Sequence, residues 1–187
     1  MDLRTFIAVD LESSLQKSLQ HIQNTLKPLN MDVIWVKPEN IHITLKFLGE
    51  TPPKKAEAIS KIFPDLFKEI RPFEIQLSRL GVFPTMERPN VIWVGIDHGS
   101  SEIKELAAVL EETMSLLGYP RERREFTAHL TLGRVKSLRN CGLLKKTIKD
   151  YSAEETIRQT INTITFFKST LSAQGSIYQP LATARLN

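Results

Sequence analysis

The chain has 187 residues, 41% hydrophobic and 25% charged, the balance of an ordinary globular protein with room for one large domain or two small packed lobes. No apolar run approaches a membrane helix in length, Met1-Asp2-Leu3-Arg4 lacks the pattern of a signal peptide, and the single cysteine, Cys141, excludes an internal disulfide. These features point to a cytoplasmic location, while the net charge of +4 and a pI near 9.2 are compatible with a polyanionic partner without establishing one.

Arg4 to Asp10 predicts a first strand, with Phe6, Ile7, Ala8 and Val9 giving it two apolar faces. Ser13 with Gln16 three residues later forms a capping-box pattern. Behind it Leu15, Leu19, Ile22 and Leu26 recur at helical spacing until Pro28. Val33 to Val36 reads as a short strand, closed by a turn at Lys37-Pro38-Glu39-Asn40. In the next strand, Ile41 to Leu48, the apolar Ile41, Ile43, Leu45 and Phe47 alternate with His42, Thr44 and Lys46. Gly49 ends it, and Thr51 caps a second helix with Pro52 in its first turn and Ile59, Ile62, Phe63 and Leu66 as its stripe.

Phe73 to Leu80 is strand-like, Phe83 to Asn90 with its two prolines reads as a loop, and the nearly continuous apolar run Val91 to Ile96 reads as a central strand. Ser100 or Ser101 starts a third helix that buries Ile103, Leu106, Leu110, Met114 and Leu117 and ends at Gly118. Phe126 to Val135 is a further strand, followed by a short helix around Leu143 to Ile148. A long strand, Thr160 to Leu171, then turns at Gln174-Gly175-Ser176 into a last strand, Ile177 to Leu186. This order predicts mixed α/β layers with largely antiparallel sheet.

Two of these strands carry the same word, His42-Ile43-Thr44-Leu45 and His129-Leu130-Thr131-Leu132, 87 positions apart. Residues i and i+2 of a strand share a face, so each word sets an imidazole beside a hydroxyl and anchors the opposite face in the core. The repetition reads as a diverged internal duplication, whose pseudo-twofold would bring both strands to one cleft. An imidazole with its unperturbed pKa of about 6.5 exchanges protons near neutrality. Two of them flanking a phosphorus can divide the work, one taking a proton from water and the other protonating the leaving oxygen. Threonine, stiff at χ1, aims its hydroxyl at non-bridging oxygens where charge builds. A single His-x-Thr is an ordinary polar strand face; the repeat carries the reading.

His21 reads as solvent-exposed and His98 as a loop residue. Neither belongs to a zinc-type ligand spacing and no Gly-rich phosphate loop is present, so no metal or other cofactor is expected. Arg121, Arg123 and Arg124 fit either a solvated loop or a phosphate-attracting rim.

With these motifs the chain resembles the two-histidine phosphoesterase superfamily, in particular the bacterial and archaeal RNA 2′,3′-cyclic phosphodiesterases, also called 2′-5′ RNA ligases. The likeness runs from Arg4-Thr5-Phe6-Ile7-Ala8-Val9 and Trp35 to Asn40 through His42 to Gly49. It resumes over Val91 to Gly95 and Phe126 to Arg134, and closes with Ser169-Thr170-Leu171, Gly175 and Tyr178. It implies an α+β bilobal fold formed by residues 1–187 as one catalytic domain. Two mainly antiparallel sheets would be related by a pseudo-twofold, with helices outside and the active-site groove between lobes.

It also implies metal-independent opening of a 2′,3′-cyclic phosphate at an RNA end to a 2′-phosphomonoester. His42 would act as proton donor to the leaving 3′ oxygen and His129 as proton acceptor from water. Thr44, Thr131 and the basic Arg134 would bind the phosphate. The implied partner is RNA with cyclic phosphate ends, tRNA fragments included, with neither a membrane nor an obligate protein partner. Two departures stand out. Ala128 replaces the family's usual proline before the second histidine, and strict alternation turns Arg134 away from His129 unless a bulge intervenes. Two other functions remain open: 2′-5′ joining of tRNA halves or its reversal by the same histidines, and a non-catalytic RNA-binding module using the basic loop with Trp35 and Phe47.

Overall fold

A computed structural model describes residues 1–151, 158–173 and 175–187. In chain order its elements are β1 (Leu3–Val9), α1 (Ser13–Leu26), β2 (Val33–Trp35), β3 (Ile43–Thr51), α2 (Pro53–Ile62), β4 (Phe73–Pro84) and β5 (Pro89–Ile96). There follow α3 (Ser100–Leu116), β6 (His129–Val135), α4 (Cys141–Asp150), β7 (Arg158–Ile161), β8 (Thr163–Ser172) and β9 (Gly175–Arg185). Gln174 of the expected last turn lies outside the described residues. The strands form two sheets, ordered β3-β1-β8-β9 and β2-β6-β5-β4-β7, and every pairing is antiparallel. The expected α+β architecture is therefore the one adopted. Among the described residues no helix is long and apolar enough to cross a membrane.

Neither sheet is a contiguous half of the chain. The C-terminal strands β8 and β9 complete the sheet begun by β1 and β3, while β2 crosses over to pair with β6. The run expected as one strand from Thr160 to Leu171 breaks at Asn162: Ile161 pairs with Phe73 in one sheet and Thr165 with Ala8 in the other. Alternation alone does not report which partner a strand takes, so this switch left no mark on the pattern.

One continuous core joins both sheets. Ile7, Ile43 and Phe166 of one pack together with Ile92, Leu130 and Leu132 of the other, and all four helices add buried residues to it, among them Leu19, Ile59, Leu106 and Leu144. Burying each such side chain fully stabilises by roughly 1.5–3 kcal/mol. Phe6, Ala8 and Phe167 of β1 and β8 stay outside this core and form a separate small cluster with Tyr178.

Two expected caps are not made. Glu12 precedes α1 without a side-chain cap, and Gln16 Nε2 donates to the Leu11 carbonyl at 3.1 Å instead of closing a box with Ser13. Thr51 stays in β3 because its hydroxyl is engaged sideways, 2.7 Å from Thr5 Oγ1 and accepting from Tyr119 Oη at 3.1 Å; Pro52 takes the cap position. Gly99, at φ +79°, precedes α3, whose first residue is the expected Ser100. The segment expected as a loop from Phe83 is shorter, since β4 runs to Pro84 and β5 starts at Pro89.

Two bulges set the site. Along β1 and β3, Ile7 pairs with Lys46 and Ala8 with Thr44, leaving Leu45 as an extra residue. Along β5 and β6, Ile92 pairs with Gly133 and Trp93 with Thr131, leaving Leu132 extra. Each bulge sends two successive residues into the interior, Leu45 with Lys46 and Leu132 with Gly133. The residue after each pair then returns to the histidine face.

This corrects two expectations. Lys46, expected beside His42 and Thr44, is buried and donates to Glu111 Oε1 at 2.6 Å and to the Pro120 carbonyl at 3.2 Å. Phe47, expected in the core, is 65% exposed.

Candidate active site

His42 immediately precedes β3 and His129 opens β6. Both rings are held alike. His42 Nδ1 donates to the Asn40 carbonyl at 2.8 Å, and His129 Nδ1 donates to the Thr127 carbonyl at 2.7 Å. A carbonyl only accepts, so Nδ1 carries the proton in the neutral ring and Nε2 is the bare nitrogen. The two halves thus present the same tautomer through the same local hydrogen bond, to the carbonyl two residues upstream.

Aromatic rings fix the imidazoles further. His42 lies 4.9 Å from the Phe6 ring and meets the Tyr178 ring edge-on at 5.3 Å. His129 meets Phe83 edge-on at 5.0 Å and Trp93 at 6.3 Å. Trp93 lies over two glycines: a Cβ on Gly81 would run into its indole, and one on Gly95 would come within 2.7 Å of Ser78 Oγ and 3.3 Å of Trp93 Cζ3. Of these supports, Phe83 went unseen in the sequence because it sits in a segment expected as a loop.

Burial pushes the His42 pKa down to about 4; the Asn40 carbonyl opposes this, and the charges of His129 and Arg134 push the same way as burial. His129 is lowered too, by burial first and by Arg134, again opposed by its carbonyl partner. Both rings are therefore neutral at pH 7. Charge coupling to His42 shows that His129 and Arg134 share one locality with it, and Arg134 acts on both rings. Arg134 is exposed, and the extra residue at Leu132 accounts for its return to the His129 face.

Thr44 and Thr131 are half-buried, in register with Ala8 and Trp93. Neither hydroxyl has a protein partner among the described residues. The arrangement offers two bare imidazole nitrogens, two hydroxyls and one guanidinium, a set suited to proton transfer around an anion. Beside His42 a cavity of about 250 Å³ opens between Asp10, Gln16, Asn40, Phe167 and Tyr178.

The other candidates lie apart. His21 and His98 are exposed, and among the described residues no group of three or more His, Cys, Asp or Glu is placed to hold a metal. Arg121, Arg123 and Arg124 are exposed in the loop before β6. That loop is tied to β3 through Glu111, which accepts from Lys46 and from the Glu122 amide. Ala128 is buried in the core.

The LigT-like phosphoesterase family model matches the chain twice in succession, at residues 9–93 and 94–178, once around each histidine. A protein of Methanothermobacter thermautotrophicus named RNA 2′,3′-cyclic phosphodiesterase is 33% identical over 186 residues, covering 100% of both chains. One of the same name from Methanocaldococcus jannaschii is 34% identical over 177 residues, 95% of this chain and 97% of the other. Among solved structures, TT0787 of Thermus thermophilus superposes with a TM-score of 0.80 at 23% identity, covering 98% and 97% of the two chains. Apo LigT of E. coli gives 0.81 at 22% identity, covering 100% and 98%. The fold is thus shared across distant sequences, and the two consecutive matches agree with a duplicated frame. The chain belongs to the LigT-like phosphoesterase family, the two-histidine phosphoesterases.

Proposed function

We propose that the protein hydrolyses 2′,3′-cyclic phosphodiesters at RNA ends to 2′-phosphomonoesters, using no metal. One observation carries the reading: two neutral imidazoles, each oriented by the carbonyl two residues upstream, stand on matching strands with a threonine two residues on. The names of the full-length relatives support the choice of substrate.

In this reading the cyclic phosphate enters as a monoanion. Its non-bridging oxygens accept hydrogen bonds from Thr44, Thr131 and Arg134. Its charge offsets that of Arg134 and raises the affinity of the buried imidazoles for a proton. His129 Nε2 takes a proton from water as the oxygen attacks phosphorus. The bond from phosphorus to O3′ breaks, and His42, protonated in the complex, delivers its proton to O3′. The donor role of His42 follows the family resemblance. RNA with cyclic phosphate ends is the partner, and a cytoplasmic setting goes with the single cysteine.

The test is turnover of a cyclic-ended oligoribonucleotide in excess chelator. The wild type is expected to act, and His42→Ala and His129→Ala each to lose on the order of 10²–10⁴ in rate. Turnover that requires added zinc, or that survives His42→Ala, overturns the reading.

A further inference from the structure

The loop from the end of α3 to His129 carries Arg121, Arg123 and Arg124, all exposed, and no step of the proposed reaction uses them. This loop is anchored along its length. Tyr119 Oη donates to Thr51 Oγ1 at 3.1 Å, the Pro120 carbonyl accepts from Lys46 Nζ at 3.2 Å, and the Glu122 amide donates to Glu111 Oε2 at 3.1 Å. At its far end the Thr127 carbonyl holds the ring of His129. Both strands that bear a His-x-Thr word therefore fix it, β3 through Lys46 and Thr51 and β6 through its first residue.

The carboxylates around the loop are turned away from its arginines. Glu122 sets Oε1 on the loop's own amides, 2.9 Å from the nitrogen of Arg123 and 3.3 Å from that of Arg124. Glu125 Oε1 accepts from Lys104 at 3.4 Å, and Glu111 is engaged by Lys46 and by the Glu122 amide. Arg121 Nη2 reaches Ser115 Oγ at 3.4 Å, near the end of α3. The guanidiniums of Arg123 and Arg124 have no hydrogen-bond or ion-pair partner among the described residues. Two neighbouring cations held unpaired on an anchored loop repel one another, and a chain of phosphates relieves that repulsion. Arg124 precedes His129 by five residues, so their Cα atoms stand at most about 18 Å apart. That places both side chains within reach of the nucleotides that precede an RNA end seated at His129.

We propose that Arg123 and Arg124 bind the phosphodiester backbone of the RNA upstream of the nucleotide that carries the cyclic phosphate. The inference rests on the function proposed above and deepens it: the histidines act on the end of the strand, and the loop holds its body. Phosphate contacts carry no sequence information, so the loop reads the presence of an upstream strand and ignores its bases. An oligoribonucleotide end is then preferred to a cyclic mononucleotide, which has no upstream phosphate.

The experiment has a binding arm and a turnover arm, each with the wild type, the double variant Arg123→Gln/Arg124→Gln and the charge-keeping Arg123→Lys/Arg124→Lys. In the binding arm, fluorescence anisotropy follows a labelled decaribonucleotide ending in a 2′-phosphate. Each phosphate neutralised on a single strand contributes about 0.7 to the slope of log Kd against log salt. Two contacts give about 1.4, so between about 50 and about 200 mM salt the wild type is expected to lose about sevenfold more affinity than the Gln variant. The Lys variant is expected to follow the wild type. In the turnover arm, kcat/KM on cytidine 2′,3′-cyclic phosphate is expected to be the same for all three proteins. KM on the cyclic-ended decaribonucleotide is expected to rise for the Gln variant alone. Equal salt slopes for the wild type and the Gln variant overturn the proposal. So does an equal loss on the mononucleotide, which would make the arginines supports of His129, and so does binding to anionic phospholipid vesicles without binding to the RNA. The binding arm needs no turnover. If the wild type opens no cyclic phosphate and the slopes still differ, the function reading fails and the loop stands as an RNA contact; if it opens cyclic ends and the slopes agree, only this proposal fails.

Discussion

Gly81→Ala tests whether the floor beneath His129 is as tightly fitted as the structure shows. Gly81 of β4 pairs with Trp93 of β5, and the indole lies where a side chain would stand. An added Cβ would clash with Trp93 Cζ2 and Cη2 and come to 2.7 Å from Cε2. The methyl group would sit on a strand held between β5 and β7, so the ring must yield. Trp93 is 9% exposed, 5.0 Å from the Phe83 ring and 6.3 Å from His129, so a displaced indole disturbs rings that pack against the imidazole. Overpacking of this kind costs about 1–3 kcal/mol in stability. A displacement of about 1 Å at a reacting group costs on the order of 100-fold in rate. Urea unfolding and kcat/KM on a nucleoside 2′,3′-cyclic phosphate read the two effects. Gly142→Ala serves as control, because nothing lies within 4 Å of its Cβ and it sits in α4, where alanine stabilises by up to about 1 kcal/mol. A Gly81→Ala protein with wild-type stability and wild-type kcat/KM would refute the argument that this slot holds the site.

Arg134→Gln is expected to lower kcat/KM by about 10- to 100-fold, the scale of a hydrogen bond to a charged group. It should also move the NMR titration midpoints of His42 and His129 upward, because the charge removed pushes both down; unmoved midpoints would contradict the shared locality. Because the His42 pKa is near 4 when folded and 6.5 when unfolded, the unfolded chain binds the proton first as pH falls. Its stabilising contribution, at most about 3 kcal/mol, is present above pH 6.5 and lost between there and pH 4, so His42→Gln should unfold with a flatter pH dependence over that window. An unchanged slope would count against the burial of the ring. Glu111→Ala leaves Lys46 buried with one carbonyl partner and is expected to cost about 2–3 kcal/mol, less than a fully buried pair because Glu111 is 25% exposed. Lys46→Met removes both charge and need, and should cost less than Glu111→Ala by urea unfolding; the reverse order would overturn this account of the pair.

Much of this was legible in the chain. The His-x-Thr words, the period-2 strands around them and the four helices are local patterns, and each formed within a few residues of where the sequence places it. What the pattern did not carry was long-range. Strict alternation put Lys46 on the site face and Phe47 in the core, because an extra residue in a ladder shows only against the partner strand. The same blindness hid the route by which Arg134 returns to the His129 face. The switch of sheets at Asn162 and the crossover of β2 to β6 depend on partners far away in sequence, as do the rings of Phe83 and Trp93 around His129. The expected caps at Ser13 and Thr51 failed for another reason: those hydroxyls are optional caps, and tertiary contacts at Thr5 and Tyr119 claimed Thr51 first.

The measurement that bears most directly on the central claim is the phosphorus NMR spectrum of the product formed from an RNA ending in a 2′,3′-cyclic phosphate, with chelator in excess. The arrangement of proton donor and acceptor proposed here predicts a 2′-phosphomonoester alone, formed by cleavage of the bond to O3′. A 3′-phosphomonoester, a mixture of the two, or no product until a metal is added would contradict it.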